Sequence, residues 1–393
     1  MTKRRIVGIS SLLLFVMLSY LPEAVAGGHR VARADEAVTL TASRKKLPYG
    51  GSAKLSGAID PVAAGQTVAI VDEIGAVVAE AVTDEAGAFE VEIEPRKNIT
   101  VHAQWSIASS EAVTVSVRPK VKVKLRNVQL FGDAAVRGNV RPSMPGRKIQ
   151  IKLVRWGRTV GAKWVTLRSG RYFKTRLAVE RPGQHRAKAI LKSPDHLRAA
   201  ARTGSHGTSL PGLGVGSRSE AVKRVEGRLI DLGYYLPGSD VYFDTKTADA
   251  LIAFNKTQGR VRLGTVDAAT WRKLAKPLIP KPRFEGPNYH IEIDQTRQVV
   301  MTVKGGKVTH ILHTSTGAGG ATRDGTWSIH RKLAGTSGGG LYYPSYFDGL
   351  RAIHGWPEVP TYAASHGCSR VPMWAATWIF SQAPLGTRVY VYH

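Results

Sequence analysis

The sequence predicts a multidomain, mainly-β chain: two β-sandwich modules, a small three-helix bundle and a C-terminal mainly-β domain. Three observations predict it. Short alternating strands fill residues 37–195, with a repeat inside them. Apolar residues then recur three and four apart over 210–275. Alternation returns at Tyr289 and runs to the C-terminus.

The first strands read AVTLTAS, GSAKLSGAI, QTVAIVDE, FEVEIE, ITVHAQW and AVTVSV, separated by turns of Gly, Pro and Asp. Regularly spaced short strands of this kind build sandwiches. The pattern then repeats. GAIDPVAAGQTVAI from Gly57 matches GNVRPSMPGRKIQI from Gly138, 81 residues on. AGAFEVEIE around Gly87 matches SGRYFKTRL around Gly170, 83 residues on. Two tandem modules over 37–118 and 119–195 account for this, and they resemble bacterial immunoglobulin-like modules. Neither gathers a constellation of reactive groups, so spacers or a stalk are expected. Gly, Ser, Ala and Pro dominate RAAARTGSHGTSLPGLGVGS. That composition predicts a flexible linker over 196–209, with His206 solvated in it.

Over 210–275, Val222, Val225, Leu229 and Leu232 make one apolar helix face. Ser219 or Ser217 is placed to cap its start and Gly233 to end it. Asp244 or Thr245 is placed to cap a second helix carrying Ala248, Leu251, Ile252 and Phe254, and Asp267 a third. The stretch resembles the three-helix peptidoglycan-binding domain found on many wall enzymes. The pattern runs through Gly216, Val222, Leu229, Leu232-Gly233-Tyr234, Phe243, Thr247, Ala250, Phe254, Val266, Thr270, Trp271 and Leu274. Gly227-Arg228 and Asn255 depart from it. Most of these positions are core, so they speak for fold; wall binding is what the resemblance implies.

The chain opens with Lys3, Arg4 and Arg5, an apolar run from Ile6 to Leu21, and Ala24-Val25-Ala26. That is the pattern of a signal peptide over 1–26, with a retained anchor as the other reading. No later stretch offers the ~20 apolar residues of a membrane span. An exported chain in the cell wall or a periplasm-like space is expected. Lys and Arg number 56 against 29 Asp and Glu, a formal charge of +27. No zinc-finger or RNA-recognition pattern accompanies that charge, and export argues against nucleic acid. Anionic wall polymers are the expected long-range attractor. Nothing implies an obligate protein partner.

Cys368 is the only cysteine in 393 residues. Exported proteins use cysteines in pairs, and an unpaired one suggests an intermolecular bridge or a reactive thiol. Its neighbours favour reactivity. His354 and His366 are candidate bases, and Arg370 adds positive charge. A helix expected from near Val371 would bring its N-terminus to the thiol. The N–H groups of Gly367 and Cys368 are candidates for an oxyanion hole, and Arg370 for holding a carboxylate. Zinc held by His354, His366 and Cys368, with His313 or His330, is the competing reading, but the spacing fits no standard zinc motif. Thiol chemistry of this kind needs no metal or cofactor.

These residues carry a second resemblance. Ile353-His354-Gly355 followed by SHGCSR is similar to the active-site signature of YkuD-type L,D-transpeptidases. The similarity extends over 286–393 through His313-Thr314-Ser315-Thr316-Gly317, Arg323-Asp324-Gly325-Thr326-Trp327 and the closing GTRVYVY. It implies Cys368 as nucleophile and His354 as general base, oriented by the carbonyl of Gly355. It gives His366 a supporting role and Arg370 a place in substrate binding. It places Tyr343 and Tyr346 in the donor pocket. The implied reaction joins peptidoglycan stem peptides by a 3→3 cross-link through a thioester, releasing D-Ala, with carbapenems acylating the same thiol. A carboxypeptidase using the same acyl-enzyme, or a non-catalytic wall-binding protein, are the alternatives. Two departures stand out. Thr322-Arg323-Asp324 replaces a Thr-Pro pair. Only ten residues separate His354 from Ser365, where many members carry a longer lid.

Overall fold

The computed structural model describes residues 36–393; the expected signal peptide lies outside the described residues. Residues 37–118 carry ten strands: β1 (Ala37–Val38), β2 (Thr41–Ala42), β3 (Lys46–Pro48), β4 (Ala53–Asp60), β5 (Thr67–Asp72), β6 (Val77–Val82), β7 (Ala88–Ile93), β8 (Ile99–Trp105), β9 (Ala108–Ser109) and β10 (Val113–Arg118). The chain divides into two compact units, the first holding 53–93, 100–114 and the described residues up to Ser43. There, β4 pairs antiparallel with β1, β2 and β7, while β5 pairs with β6 and β8. Leu55, Ile59, Val68, Ile70 and Phe89 are buried, as strand alternation requires.

The second unit holds 44–52, 94–99 and 115–393. It continues with β11 (Lys120–Arg126), β12 (Gly132–Arg141), β13 (Lys148–Arg155), β14 (Arg158–Thr166), β15 (Tyr172–Val179), β16 (Gln184–Ser193), β17 (His196–Arg202) and β18 (His206–Gly207). One sheet runs β11-β12-β15 and another β14-β13-β16-β17. Their inward residues, among them Val136, Ile149, Ile151, Phe173 and Leu177, form one buried cluster. The sequence repeat has a steric cause. A Cβ on Gly57 would lie 2.0 Å from the Thr39 carbonyl and 2.5 Å from Phe89; one on Gly138 would lie 2.0 Å from the Lys122 carbonyl and 2.4 Å from Phe173. Each glycine admits an aromatic ring that any side chain would exclude.

Residues 196–209 are not the flexible linker expected from their composition. β17 and β18 both pair with β16. Thr203 and Thr208 accept hydrogen bonds from the N–H groups of Ala187 and Gly183. Small residues suit this strand because Ala199 is buried opposite Leu191. His206 sits half-buried in β18 instead of in open solvent.

Three helices follow: α1 (Glu220–Asp231), α2 (Thr245–Thr257) and α3 (Ala268–Ala275). Asp244 and Asp267 cap α2 and α3 by accepting from the N–H of Thr247 and Thr270, at 3.0 and 2.6 Å. Ser219 occupies the N-cap of α1 without a side-chain cap bond, and Gly233 follows that helix with φ +85°.

The last region has β19 (Tyr289–Asp294), β20 (Val299–Lys304), β21 (Lys307–His313), β22 (Gly325–Ser328), β23 (Arg331–Lys332), β24 (Tyr342–Asp348), β25 (Arg351–Trp356), β26 (Ser369–Pro372), α4 (Met373–Gln382) and β27 (Arg388–Tyr392). Its sheets run β21-β20-β19-β27-β22 and β23-β24-β25-β26. The first is continuous with the helices: Val299, Met301 and Ile311 share one core with Val225, Leu251, Phe254 and Trp271. Backbone bonds join Tyr235 N–H to the Ile311 carbonyl (3.0 Å) and Ile311 N–H to the Gly233 carbonyl (2.8 Å). Trp374 donates to Asp249 of α2 at 2.8 Å, and Tyr235 stacks on Trp378 with centroids 3.9 Å apart. No described helix is long and apolar enough to cross a membrane.

Candidate active site

β25 and β26 run parallel, with Ile353 opposite Ser369 and His354 opposite Arg370. That register brings the end of the SHGC turn beside His354. The His354 ring is 2% exposed, and its Nδ1 lies 2.9 Å from the Gly355 carbonyl. A carbonyl only accepts, so Nδ1 carries the proton and Nε2 keeps its lone pair. Burial pushes His354 down to about 4; the Gly355 bond opposes this and the Arg370 charge adds to it. Gly355 has a packing reason as well, since a Cβ there would lie 2.7 Å from Ala376 of α4.

The Cys368 thiol is partly buried and points toward the Leu350 carbonyl, 3.9 Å away. Burial raises its pKa; a backbone bond from Ala352 and the charges of Arg370 and Arg351 pull the other way without prevailing. The expected helix dipole does not act on it. Residues 369–372 are a strand, because they pair with β25, and α4 begins only at Met373. Both shifts favour the uncharged form, for the thiol just before β26 and for the imidazole on the adjacent β25.

The turn bearing Cys368 is held by hydroxyls. Ser365 donates to the Cys368 carbonyl at 2.6 Å and accepts from Gly367 N–H at 3.0 Å. That bond engages the Gly367 N–H, which was expected in an oxyanion hole. Thr322 donates to the Gly367 carbonyl (2.8 Å) and accepts from Gly317 N–H (2.7 Å). Thr314, fully buried, bonds Ser369 and the Arg370 carbonyl. Short hydroxyl side chains suit this place, because an irregular buried turn leaves backbone groups that a neighbouring strand cannot pair. Gly367 has φ +133°, and a Cβ on it would lie 2.9 Å from Arg351 Nε and 3.0 Å from the Ala321 carbonyl.

The unexpected Arg323 has a partner. It binds Asp348 through Nε at 2.9 Å and again through Nη2. Arg351 joins the same carboxylate at 3.1 Å and donates to the Ala321 carbonyl at 2.7 Å. Arg323, first of these contacts in strength, holds Asp348 below the usual carboxylate range. This chain of contacts ends against Gly367. Sequence reasoning passed over Asp348, Arg351, Thr322 and Ser365; Thr322 and the Arg323–Asp348 pair act on partners distant in sequence, whereas Ser365 acts within its own turn.

The short segment between His354 and Ser365 is anchored from two sides. His313 Nε2 donates to the Val359 carbonyl at 2.8 Å, and Ser315 donates to the Tyr362 carbonyl at 2.6 Å. From α2, the buried Lys256 donates to His313 Nδ1 (2.6 Å) and to the carbonyls of Gln298 and Thr314 (each 2.8 Å). Arg262, just beyond α2, donates to the Thr361 carbonyl and to that of Thr296. Burial and the Lys256 charge push His313 down to about 3, so its Nδ1 stays an acceptor.

The remaining expected residues divide. Arg370 is half-buried, with its guanidinium 5.2 Å from the Trp356 ring centroid. His366 is exposed on the turn. Tyr346 is 4% exposed beneath Arg331, whose guanidinium lies 3.9 Å from its ring, so it does not line an open pocket. Tyr343 takes φ +49° where β24 slips register, and its ring packs on Phe380 of α4 at 5.2 Å. Among the described residues, no three His, Cys, Asp or Glu side chains gather as a metal site.

Residues 288–391 match the family model of the YkuD L,D-transpeptidase catalytic domain, and 218–274 match that of a putative peptidoglycan binding domain. No curated protein matches the chain. Among solved structures, an L,D-transpeptidase (residues 123–326) from Xylanimonas cellulosilytica DSM 15894 is 32% identical. The match covers 47% of this chain and 98% of that one, with a TM-score of 0.44. An L,D-transpeptidase from Mycobacterium smegmatis is 10% identical over 70% of this chain and 99% of that one, with a TM-score of 0.25.

Proposed function

From the premise of an L,D-transpeptidase catalytic domain joined to a peptidoglycan-binding domain, we propose that Cys368 is the nucleophile of a transpeptidase that forms 3→3 cross-links in peptidoglycan. The observation that carries this reading is the tautomer of His354. Its Nδ1–H is committed to Gly355, which leaves a basic Nε2 one strand from the thiol.

The thiol attacks the carbonyl carbon between the third stem residue and the terminal D-Ala, as His354 Nε2 takes its proton. Because both groups rest neutral, proton transfer accompanies attack instead of preceding it. The C–N bond breaks, and the imidazolium gives its proton to the departing amine of D-Ala. A thioester to Cys368 remains. The amine of a second stem attacks it and loses a proton to His354. The C–S bond breaks, and the thiol is restored. Arg370 holds a substrate carboxylate in this reading, and the Cys368 N–H donates to the oxyanion. The Gly355 carbonyl orients the base, and His366 supports from the turn's outer side. The helical domain keeps the enzyme on its polymer, raising the effective concentration of stems.

Mass spectrometry of products tests the reading. The full chain is mixed with disaccharide-tetrapeptide beside a Cys368→Ala variant. Cross-linked dimer and free D-Ala from the parent alone support transpeptidation. Tripeptide without dimer makes the chain an L,D-carboxypeptidase. Unchanged substrate in both samples sinks the enzymatic reading and leaves a wall-binding protein.

A further inference from the structure

We infer that the outer face of the β11-β12-β15 sheet binds a linear phosphodiester polymer of the polyol-phosphate class. Antiparallel register sets Lys124, Arg137 and Lys174 directly opposite one another in one row across three strands. Two rows along, past the row of Lys122, Asn139 and Tyr172, Lys120 faces Arg141. On the other side, Arg126 and Arg176 flank Ala135. All these cations are exposed, as is Lys122 on the same face, and none forms an ion pair among the described residues. Like charges directly opposite across strands destabilise a sheet.

The fold does not require them, and the chain itself provides the control. Gly57 and Gly138 take the same close approach to Phe89 and Phe173, and to the carbonyls of Thr39 and Lys122. These contacts align the two sheets residue by residue. The row Lys124–Arg137–Lys174 then corresponds to Thr41–Ser56–Glu90 in the first unit. The pair Lys120–Arg141 corresponds to Ala37–Asp60. Arg176 corresponds to Glu92, and in the first unit Lys54 is neutralised by Glu90 at 2.6 Å. One framework thus carries a mixed, paired face in one copy and an unpaired cationic face in the other. The difference resides wholly in surface side chains, where folding has least to say.

Chemistry narrows the occupant. Strands are spaced about 4.8 Å apart and alternate residues about 6.8 Å, so the cations form a grid along which a chain with one charge per repeat can lie. Tyr172 is the single aromatic residue in these rows, too few to stack the bases of a nucleic acid. No long apolar side chain projects among them to enter a bilayer.

The test is binding of the full chain to poly(glycerol phosphate) across a salt series, beside monomeric glycerol phosphate, polyglutamate and oligodeoxythymidine. The variant Lys124→Thr/Arg137→Ser/Lys174→Glu installs side chains the same fold already carries in its first copy. Lys120→Ala/Arg141→Asp does so for the row two further along. The inference expects tight parent binding to poly(glycerol phosphate) and at least about tenfold weaker binding by the first variant near 0.1 M salt. The slope of log affinity against log salt should fall by about 2, for three phosphates released at about 0.7 each. Without polymer, the variants should melt no lower than the parent. Equal affinity and slope in both variants would overturn the inference. So would tighter parent binding to polyglutamate or to the oligonucleotide.

Discussion

At the scale of single residues, His354 makes the sharpest prediction. Its lowered pKa keeps Nε2 unprotonated through the neutral range. The acylation rate constant kcat/KM should hold level from pH 8 to about 5. It should then fall along a one-proton limb centred near 4. The unfolded chain binds more protons than the folded one between about 6.5 and about 4, so stability also falls as pH drops through that window. Stopped-flow acylation at short times separates the two effects. His354→Gln should slow acylation by about 10²–10⁴ and abolish the limb; an unaltered limb would remove His354 as the base. Gly367→Ala is the second test at this scale. Its φ and its contacts with Arg351 and Ala321 predict destabilisation of about 1–3 kcal/mol and loss of acylation, read by thermal unfolding and intact mass.

At the scale of elements, α2 reaches out of the helical domain to the segment beside the active site. Lys256 satisfies two buried carbonyls and His313 Nδ1, and His313 in turn holds Val359. Lys256→Met leaves His313 Nδ1 and the Thr314 carbonyl unpaired, while the Gln298 carbonyl keeps the Thr314 N–H, so a loss of about 2–4 kcal/mol is expected from denaturant unfolding. Arg262→Ala separates support from stability. It frees the Thr361 carbonyl at a half-exposed position and should change stability by less than about 1 kcal/mol. If the anchored segment shapes the donor site, this variant raises KM with a smaller change in kcat. Equal KM for parent and variant would show that the anchor is structural only.

At the scale of the whole molecule, the helices and the catalytic sheet share one core, so they should unfold together. Residues 210–393 are expected to melt in a single calorimetric transition. Residues 286–393 alone expose Val299, Met301 and Ile311, along with the Trp374 and Trp378 surfaces that Tyr235 covers. They should melt at least about 10 °C lower or remain unfolded. Melting of the short fragment within a few degrees of the longer one would show that the shared core contributes little. The same reasoning makes the region matching the peptidoglycan-binding model a structural part of the catalytic unit.

Much of this was readable in the chain. Alternation and helical spacing placed the strands and helices, since both reflect which side chains face a core. Asp244 and Asp267 marked helix starts because a carboxylate satisfies N–H groups within three residues of itself. Gly57 and Gly138 marked a repeated close contact. His354 and Cys368 stood out as candidates because a lone thiol beside histidines has few structural uses. What failed shares one feature: it depended on partners far away. Residues 196–209 looked like a linker by composition, and pairing with β16 made them strands. Val371 looked helical, and pairing with β25 made it a strand, which withdrew the helix dipole from Cys368 and left burial to set the thiol. Tyr346 was expected to line a pocket, but it is buried beneath Arg331. The kinds of elements could be read from the chain alone, because local sterics suffice for those, and the same reading offered His354 and Cys368 as a candidate pair. The fold was needed to reveal the burial that shifts His354 down and Cys368 up, the Asp348 and Lys256 contacts and the hydroxyl cage around the turn. These rest on burial and on a turn geometry fixed largely by contacts with residues distant in sequence, such as Thr322 with Gly367 and Lys256 with Thr314.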